Sequence, residues 1–528
     1  MKNLLGEIPK VPEAYQSLLA SGRQPADGYD LSRLANELPS WVKAATSANP
    51  TLPSRRVLVV GSLSWWIEFT SALAALLVGR GCTVDFGFVP FRRWTDPVTT
   101  FDHRRQSAYL RSALSPFNGT VKLFDLSFGT EMSLSSDLQQ ELEEINRADV
   151  QYTVGREWLE LAQNAPDREL LDLRRDRNKA AATSALKLCD ENSYDAVIVP
   201  NGGILEFAAV RAAVRSAGVN VITYEFGEQR ERIWIAHNDL VMRQDTSPLW
   251  KACSEVELTG TQIARMTELR QARKSGLGWA QFKREWQAKS ASGSEAVAKQ
   301  LGLDLTRPVV LLCTNVMGDS LAIDREVFTE GMGEWLSETV RYFSDPEKGQ
   351  LVVRVHPGEI VGAGYPSAEI ARTALPSMPE HVVVVEPASE LNTYDLIELA
   401  DLGLVYTTTV GMEMATSGVP VIVAGETHYR GRGFTHDPNS LDEYFAAIDN
   451  ILDAEDQSTV NTELANRYAY RFFFDYPFEF PWHLLDFWAD IVERPVPDVL
   501  RKDDSYDATL RALIGEPIDW REKVETDG

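Results

Sequence analysis

Cysteine is scarce. Four residues, Cys82, Cys189, Cys253 and Cys313, are spread over 528 positions with no C-x-x-C spacing. That excludes a disulfide frame and a zinc ribbon, and points to free thiols in a reducing compartment. Long apolar runs are also missing. Ser71–Val78 is apolar but short, and Arg80-Gly81 ends it; a membrane span needs about 20 such residues. Met1-Lys2-Asn3-Leu4-Leu5-Gly6-Glu7 holds no apolar core for a signal peptide. A cytoplasmic protein is expected, with association at the inner face of a membrane left open. Positive charge is in deficit: the formal net charge is −25. Nucleic acid is thereby excluded as a general partner. Only local basic patches remain, Arg92-Arg93 with Arg104-Arg105, and Arg430 with Arg432.

Several catalytic signatures are absent too. There is no P-loop, no H-E-x-x-H and no G-x-S-x-G elbow. The first strand, Val57–Val60, ends in Gly61-Ser62-Leu63-Ser64 without a full G-x-G-x-x-G, so a dinucleotide fingerprint is lacking.

What is present is an ordinary globular composition, 44% hydrophobic and 9% aromatic, long enough for more than one domain. Short β-branched runs alternate with helix-length segments, the pattern of parallel α/β sheets. After a helical preface over 1–54, the runs Val57–Val60, Thr83–Val89, Thr120–Leu126, Ala196–Val199 and Asn220–Tyr224 predict strands of a domain over 55–250. The charged stretch Ser136 to Asp190 reads as a solvated amphipathic arm. A polar, helix-favouring connector follows over 251–300. A second alternation, with strands at Val309–Cys313, Leu351–Val355, Val382–Val385, Leu402–Tyr406 and Pro420–Val423, predicts a domain over 301–465. The aromatic segment Tyr468–Trp488 lacks the basic residues of a base-stacking platform, so 466–528 is read as C-terminal helices tying the chain back across the domains, with 495–528 a loosely held tail.

The stretch from Leu351 to Asp437 organises the chain. In open parallel sheets ligands bind beyond the carboxyl ends of the strands. Those ends carry His356-Pro357, then Thr407-Thr408-Thr409-Val410-Gly411-Met412-Glu413, then the loop Gly425 to Thr435. A helix starting near Gly411 would offer unpartnered N–H groups and a positive dipole end to a phosphate. Glycine would allow close approach, and Glu413 would accept two hydrogen bonds from a ribose diol. Plain capping by Thr408 or Thr409, with Glu413 in the first turn, is the alternative. Further strand-end loops carry Asn201-Gly202-Gly203, Glu225 to Arg230, and Thr314 to Ser320, where Asp319 either faces a ligand or caps a helix near Ser320.

Arg354-Val355-His356-Pro357, Tyr406-Thr-Thr-Thr-Val-Gly-Met-Glu-Met-Ala, Gly418-Val-Pro-Val-Ile-Val-Ala-Gly425 and His428-Tyr429-Arg430-Gly431-Arg432-Gly433-Phe434-Thr435 resemble the capsule polysaccharide biosynthesis proteins. These are GT-B-type glycosyltransferases and include the Kdo transferases of capsule assembly. The resemblance covers roughly residues 300–445, is weaker over 195–240 and is absent at both ends. Where the family's threonine cluster usually contains serine, this chain keeps hydroxyls. The resemblance implies an α/β fold of two Rossmann-like, doubly wound domains facing a cleft, with extra helical segments. It implies a nucleotide-sugar donor on the C-terminal domain and a glycan or glycolipid acceptor on the N-terminal one. The donor residues would be Arg354, His356, Thr408, Thr409, Gly411, Glu413, Tyr429 and Thr435, with Asn315 and Asp319. The acceptor side would hold Asn201, Gly202, Gly203 and Glu225.

No D-x-D pair of the kind that metal-dependent, single-Rossmann glycosyltransferases use follows a predicted strand; Asp27-Gly28-Tyr29-Asp30 is too widely spaced and lies in the preface. No metal or other cofactor is therefore expected. Charge on the departing phosphates would be met by helix termini, hydroxyls, His356 and arginines. An inverting transfer needs a general base beside the acceptor, and Glu228, beyond Gly227, is the candidate ahead of Glu225, Glu206 and Asp319. Pairing of Glu228 with Arg230 or Arg232 is the competing account. A nucleotide-sugar 2-epimerase-like isomerase and a non-catalytic nucleotide-sugar-binding protein are the alternative functions.

Overall fold

The computed structural model describes residues 2–19, 29–275, 292–361, 366–454, 460–502 and 505–526. The chain divides into two compact units. The first comprises Met1–Val150, Glu160–Met242 and Pro477–Ile518; the second comprises Gln151–Leu159, Arg243–Tyr476 and Asp519–Gly528.

The first unit is built on a seven-stranded sheet. Its strands are β1 (Arg56–Ser62), β2 (Thr83–Val89), β3 (Lys122–Asp125), β4 (Ala196–Pro200), β5 (Val221–Phe226) and β6 (Arg232–His237), joined by a late strand, Phe478–Glu479. The order is Phe478–Glu479, β6, β5, β4, β1, β2, β3. The first five strands are parallel, with the Rossmann order reversing between β1 and β4. β6 returns antiparallel beside β5, and Phe478–Glu479 pairs antiparallel with β6. β1 is buried from Val57 to Ser62, as a central parallel strand covered on both faces must be. The helix Leu63–Gly79 that follows is apolar nearly all round and correspondingly buried.

The second unit repeats the logic with five parallel strands: β7 (Val309–Cys313), β8 (Gln350–Arg354), β9 (Val382–Val385), β10 (Leu402–Val405) and β11 (Val421–Val423). The order β11-β10-β7-β8-β9 again reverses beside the first strand, between β7 and β10. Trp335, Leu336 and Val340 of the helix Met332–Tyr342 pack on Leu351, Val353, Leu404 and Tyr406 of the sheet. No helix among the described residues is long and apolar enough to cross a membrane. The protein is thus an α/β chain with two Rossmann-order sheets.

Several expectations need correction. The stretch from Ser136 to Asp190 is not a solvated arm. It forms the helices Ser136–Val154 and Pro166–Glu191, and the second buries Arg174 completely. Arg174 donates to Asp149 Oδ2 at 2.6 Å and to Glu206 Oε1 at 2.9 Å. Mutual pairing lets these charges leave water. No helix starts near Ser320: that segment is turns, and the next helix begins at Met332. The preface helix Ser32–Ser47 packs into the first unit through Leu34, Leu38 and Trp41. The supposed tail is packed too, with Val496, Leu510 and Leu513 buried. Part of the expected connector, residues 276–291, and Asp27-Gly28 lie outside the described residues.

Arg174→Met would leave Asp149 and Glu206 buried without their cation. A loss of about 3–5 kcal/mol is expected, read as a fall in the urea midpoint of the first unit; a loss below about 1 kcal/mol would contradict the pairing argument.

Candidate functional site

The reversal of strand order in the second unit places the ends of β7 and β10 side by side. A parallel strand that stops leaves backbone groups in need of partners. Here side chains supply them. Asn315, just past β7, accepts the Thr407 N–H on Oδ1 at 3.1 Å, bridging to the loop after β10. Thr314 Oγ1 accepts the His356 N–H at 3.0 Å, linking the ends of β7 and β8. Thr407 donates its hydroxyl to Leu321 O at 2.9 Å. Three strand ends are thus held together by an amide and two hydroxyls.

His356 sits half-buried at this edge. Its Nδ1 accepts the Gly358 N–H at 3.0 Å. An imidazole nitrogen that accepts carries no proton, so the ring's N–H is on Nε2 and that nitrogen is a donor. The turn His356-Pro357-Gly358 therefore sets the tautomer locally, within three residues.

The threonine cluster leads into a short helix, Val410–Thr416, with Thr409 at its N-cap. Neither Thr408 nor Thr409 makes the N-capping bond to the helix that the alternative reading requires at N2 or N3. The Thr408 hydroxyl instead accepts from Val410 N–H at 3.4 Å, and its carbonyl accepts from Gly411 N–H and from the Tyr429 hydroxyl.

Other candidates turn out to serve the fold. At Gly411 a side chain has no room: a Cβ there would lie 2.6 Å from the Tyr429 hydroxyl and 2.7 Å from Val405 Cγ2. Tyr429 is wholly buried, and its hydroxyl donates to Thr408 O at 2.6 Å. Glu413 accepts from Arg273 at 2.5 Å on one oxygen and from the Tyr394 hydroxyl on the other. A ribose diol would have to share a carboxylate that two donors already hold. Arg354 is buried and donates to Glu386 O at 2.7 Å, which fastens the loop after β9 instead of meeting a ligand. Thr435 donates to Asp437 Oδ1 at 2.8 Å. Asp319 accepts from Leu321 N–H at 2.8 Å, a turn of the Asx kind rather than a helix cap.

In the first unit the strand-end loops meet in the same way. Asn201 and Glu225 lie beyond β4 and at the end of β5, and Asn201 Nδ2 donates to Glu225 Oε2 at 2.7 Å. Asn201 Oδ1 accepts from Gly203 N–H at 3.1 Å. Gly202 has φ +81° and no space for a Cβ, which would meet Thr223 Cγ2 at 2.4 Å. Glu225 is buried in this arrangement, and Glu206 is held by Arg174 at 2.9 Å. Glu228 is half-buried in the connection between β5 and β6. Nearby, Arg230 pairs with Asp490 at 2.6 Å and Arg232 with Glu479 at 2.7 Å.

Sequence reasoning missed Arg273 and Tyr394, which hold Glu413, and Arg325, a buried cation on the long connection after β7. It also missed that His428 is a core residue. Burial and nearby Arg432 and Arg325 push its imidazole down to about 3, and the ring stacks on Phe472 at 4.0 Å. Among the described residues no three His, Cys, Asp or Glu side chains form a group able to hold a metal ion.

No protein-family model and no curated protein matches the chain. Solved structures do match at low identity. KpsC of Thermosulfurimonas dismutans, a beta Kdo 2,4 transferase, is 17% identical, covering 61% of this chain and 88% of its own, with a TM-score of 0.37. UDP-GlcNAc 2-epimerase from Neisseria meningitidis, bound to UDP-GlcNAc, is 12% identical over 79% of this chain and 99% of its own, with a TM-score of 0.25. The glycotransferase of kitacinnamycin is 12% identical over 84% and 99%, with a TM-score of 0.25. At such scores the strand orders themselves, and not these neighbours, carry the description of the fold.

Proposed function

We propose that this protein is a glycosyltransferase that moves a sugar from a nucleotide-sugar donor to a glycan or glycolipid acceptor in surface polysaccharide biosynthesis. The observation that carries the reading is the edge of the second sheet. There Asn315, His356 and the Thr407–Thr409 hydroxyls gather at the strand-order reversal, the position where open α/β sheets bind ligands. His356, with its proton on Nε2, supplies a hydrogen bond to a donor phosphate or to the leaving oxygen. Thr408 and Thr409 contribute hydroxyls to the same group. The resemblance to capsule polysaccharide biosynthesis proteins points the same way, and the reading extends to peripheral association with a membrane that presents the acceptor.

Acceptor activation falls to the first unit. Glu228, on the connection between β5 and β6 just beyond Gly227, is the carboxylate proposed to take the acceptor hydroxyl's proton. With no D-x-D in the sequence, charge on the leaving phosphates is met by hydrogen-bond donors and arginines, in line with electrostatic stabilisation of the departing group.

The decisive experiment incubates the protein with a nucleotide-sugar panel, with and without acceptor glycans, and reads products by mass spectrometry. Sugar transfer supports the proposal. An altered sugar nucleotide formed without acceptor would make the protein an isomerase, and binding without turnover would make it non-catalytic. His356→Ala should weaken nucleotide binding by about ten- to a hundredfold, the loss of one charge-assisted hydrogen bond; unchanged affinity in calorimetry would remove His356 from the site. Activity should survive EDTA, and complete loss with recovery on adding Mg²⁺ or Mn²⁺ would contradict a metal-independent transfer. Glu228→Gln should lower kcat by about 10²–10⁴-fold with donor affinity near normal. Turnover within a few-fold of the parent would exclude Glu228.

A further inference from the structure

The helix Met332–Tyr342 begins with an anion already on it. Met332 N–H donates to Glu157 Oε1 at 2.7 Å, and Gly333 N–H donates to Oε2 at 2.9 Å. Two backbone donors and a helix dipole aimed at one negative group make an oxyanion cradle. The local sequence is cut to fit: a Cβ on Gly331 would lie 2.6 Å from Glu157 Oε2. Glu157 arrives from 175 residues away. It rides on Gln151–Leu159, a segment that belongs to the second unit. Gly318, on the loop after β7, meets this segment so closely that a Cβ would lie 2.8 Å from Gly155 Cα. The cradle thus stands at the first strand–helix connection of a Rossmann-order sheet, beside the reversal between β7 and β10.

A second polar group packs against this helix. Tyr406, at the end of β10, is wholly buried with its ring 5.8 Å from that of Trp335. Its hydroxyl has no hydrogen-bond partner among the described residues. It lies in the electrostatic reach of Glu157, Glu326 and Arg325, and burial together with the two carboxylates pushes its pKa up. Buried donors normally find acceptors. A carboxylate has two oxygens, and both face the helix here; a tetrahedral oxyanion has more to offer. Glu157 is itself poorly settled, since burial and the like charge of Glu326 raise its carboxyl against the two N–H bonds.

We infer that the N-terminus of the Met332–Tyr342 helix, together with the Tyr406 hydroxyl, is a binding subsite for a phosphate-class oxyanion, and that Glu157 is its resident competitor. The oxyanion takes the two amide donors, gains the Tyr406 hydroxyl and releases the Gln151–Leu159 segment. Occupancy of the cradle then reports directly on the position of that segment.

The test uses the full-length protein and inorganic phosphate, with chloride at matched ionic strength as control. Glu157→Gln keeps the side chain's shape but offers one acceptor oxygen and sets an NH₂ against a backbone donor. It should bind phosphate about tenfold or more tightly than the parent, because the competent state is no longer rare. Adding Tyr406→Phe should take back several-fold of that gain. In the parent protein, phosphate but not chloride should increase amide hydrogen exchange across residues 151–159. Phosphate affinity unchanged in folded Glu157→Gln and Glu157→Ala would overturn the inference. Should both variants fail to fold, unaltered exchange across 151–159 in the parent at high phosphate overturns it equally. No nucleotide sugar enters these measurements, so their outcome is separate from that of the transfer reading.

Discussion

Backbone donors at the carboxyl ends of the parallel strands govern what surrounds them. A strand that ends in the interior leaves N–H groups that water cannot reach, and each must find an acceptor. In the second unit the acceptors are Thr314, Asn315 and His356 itself, all within a few residues of a strand end. The demand for partners thus concentrates hydroxyl, amide and imidazole groups along one edge. It also orients them, since His356 is fixed by its own backbone bond and by Gly358. The chemistry proposed for this edge is therefore built from groups that the fold needs there for its own closure.

Charge follows a parallel rule. A buried carboxylate or guanidinium survives only when paired. Glu206 has Arg174, Glu413 has Arg273 and Tyr394, and Arg471 has Asp475 at 2.7 Å. In each case the pairing engages the group within the fold. The chain's acidity makes this selective: with a net charge of −25, cations are the limiting partner, and where one is placed indicates which carboxylates have been neutralised for structure. Backbone amides can take the cation's place, as those of Met332 and Gly333 do for the half-buried carboxylate of Glu157.

The strands were legible in the sequence because their signal is local. Thr83–Val89, Val309–Cys313 and Val382–Val385 run between the residues the β-branched pattern predicts. β6 was not, because Arg232–His237 is an antiparallel strand with charged and aromatic residues, paired on one side only by the two-residue strand Phe478–Glu479. Side-chain roles were legible only when the partner was near. The tautomer of His356 depends on Gly358, and the Asx turn of Asp319 on Leu321. By contrast, Glu413 and Arg273 are 140 residues apart, and Glu157 and Met332 are 175 apart. Charged residues such as Arg174, read one at a time, suggest a solvated helix; only their convergence reveals a buried cluster.

Glycine illustrates why a motif underdetermines a site. Gly411 and Gly331 both allow short-range approaches near a helix start, and sequence alone assigns the first to ligand access. At Gly411 the atom that arrives is the hydroxyl of a buried tyrosine, 2.6 Å from where a Cβ would be; at Gly331 it is a carboxylate oxygen at the same distance. The backbone requirement is identical, yet the first contact is closure of a core and the second is occupation of an anion cradle. What separates them is the charge of the visitor and whether donors nearby remain unsatisfied. By that criterion the Tyr406 hydroxyl, with no acceptor of its own, distinguishes the start of the Met332–Tyr342 helix from the start of Val410–Thr416, where the nearest tyrosine hydroxyl already donates to Thr408 O at 2.6 Å.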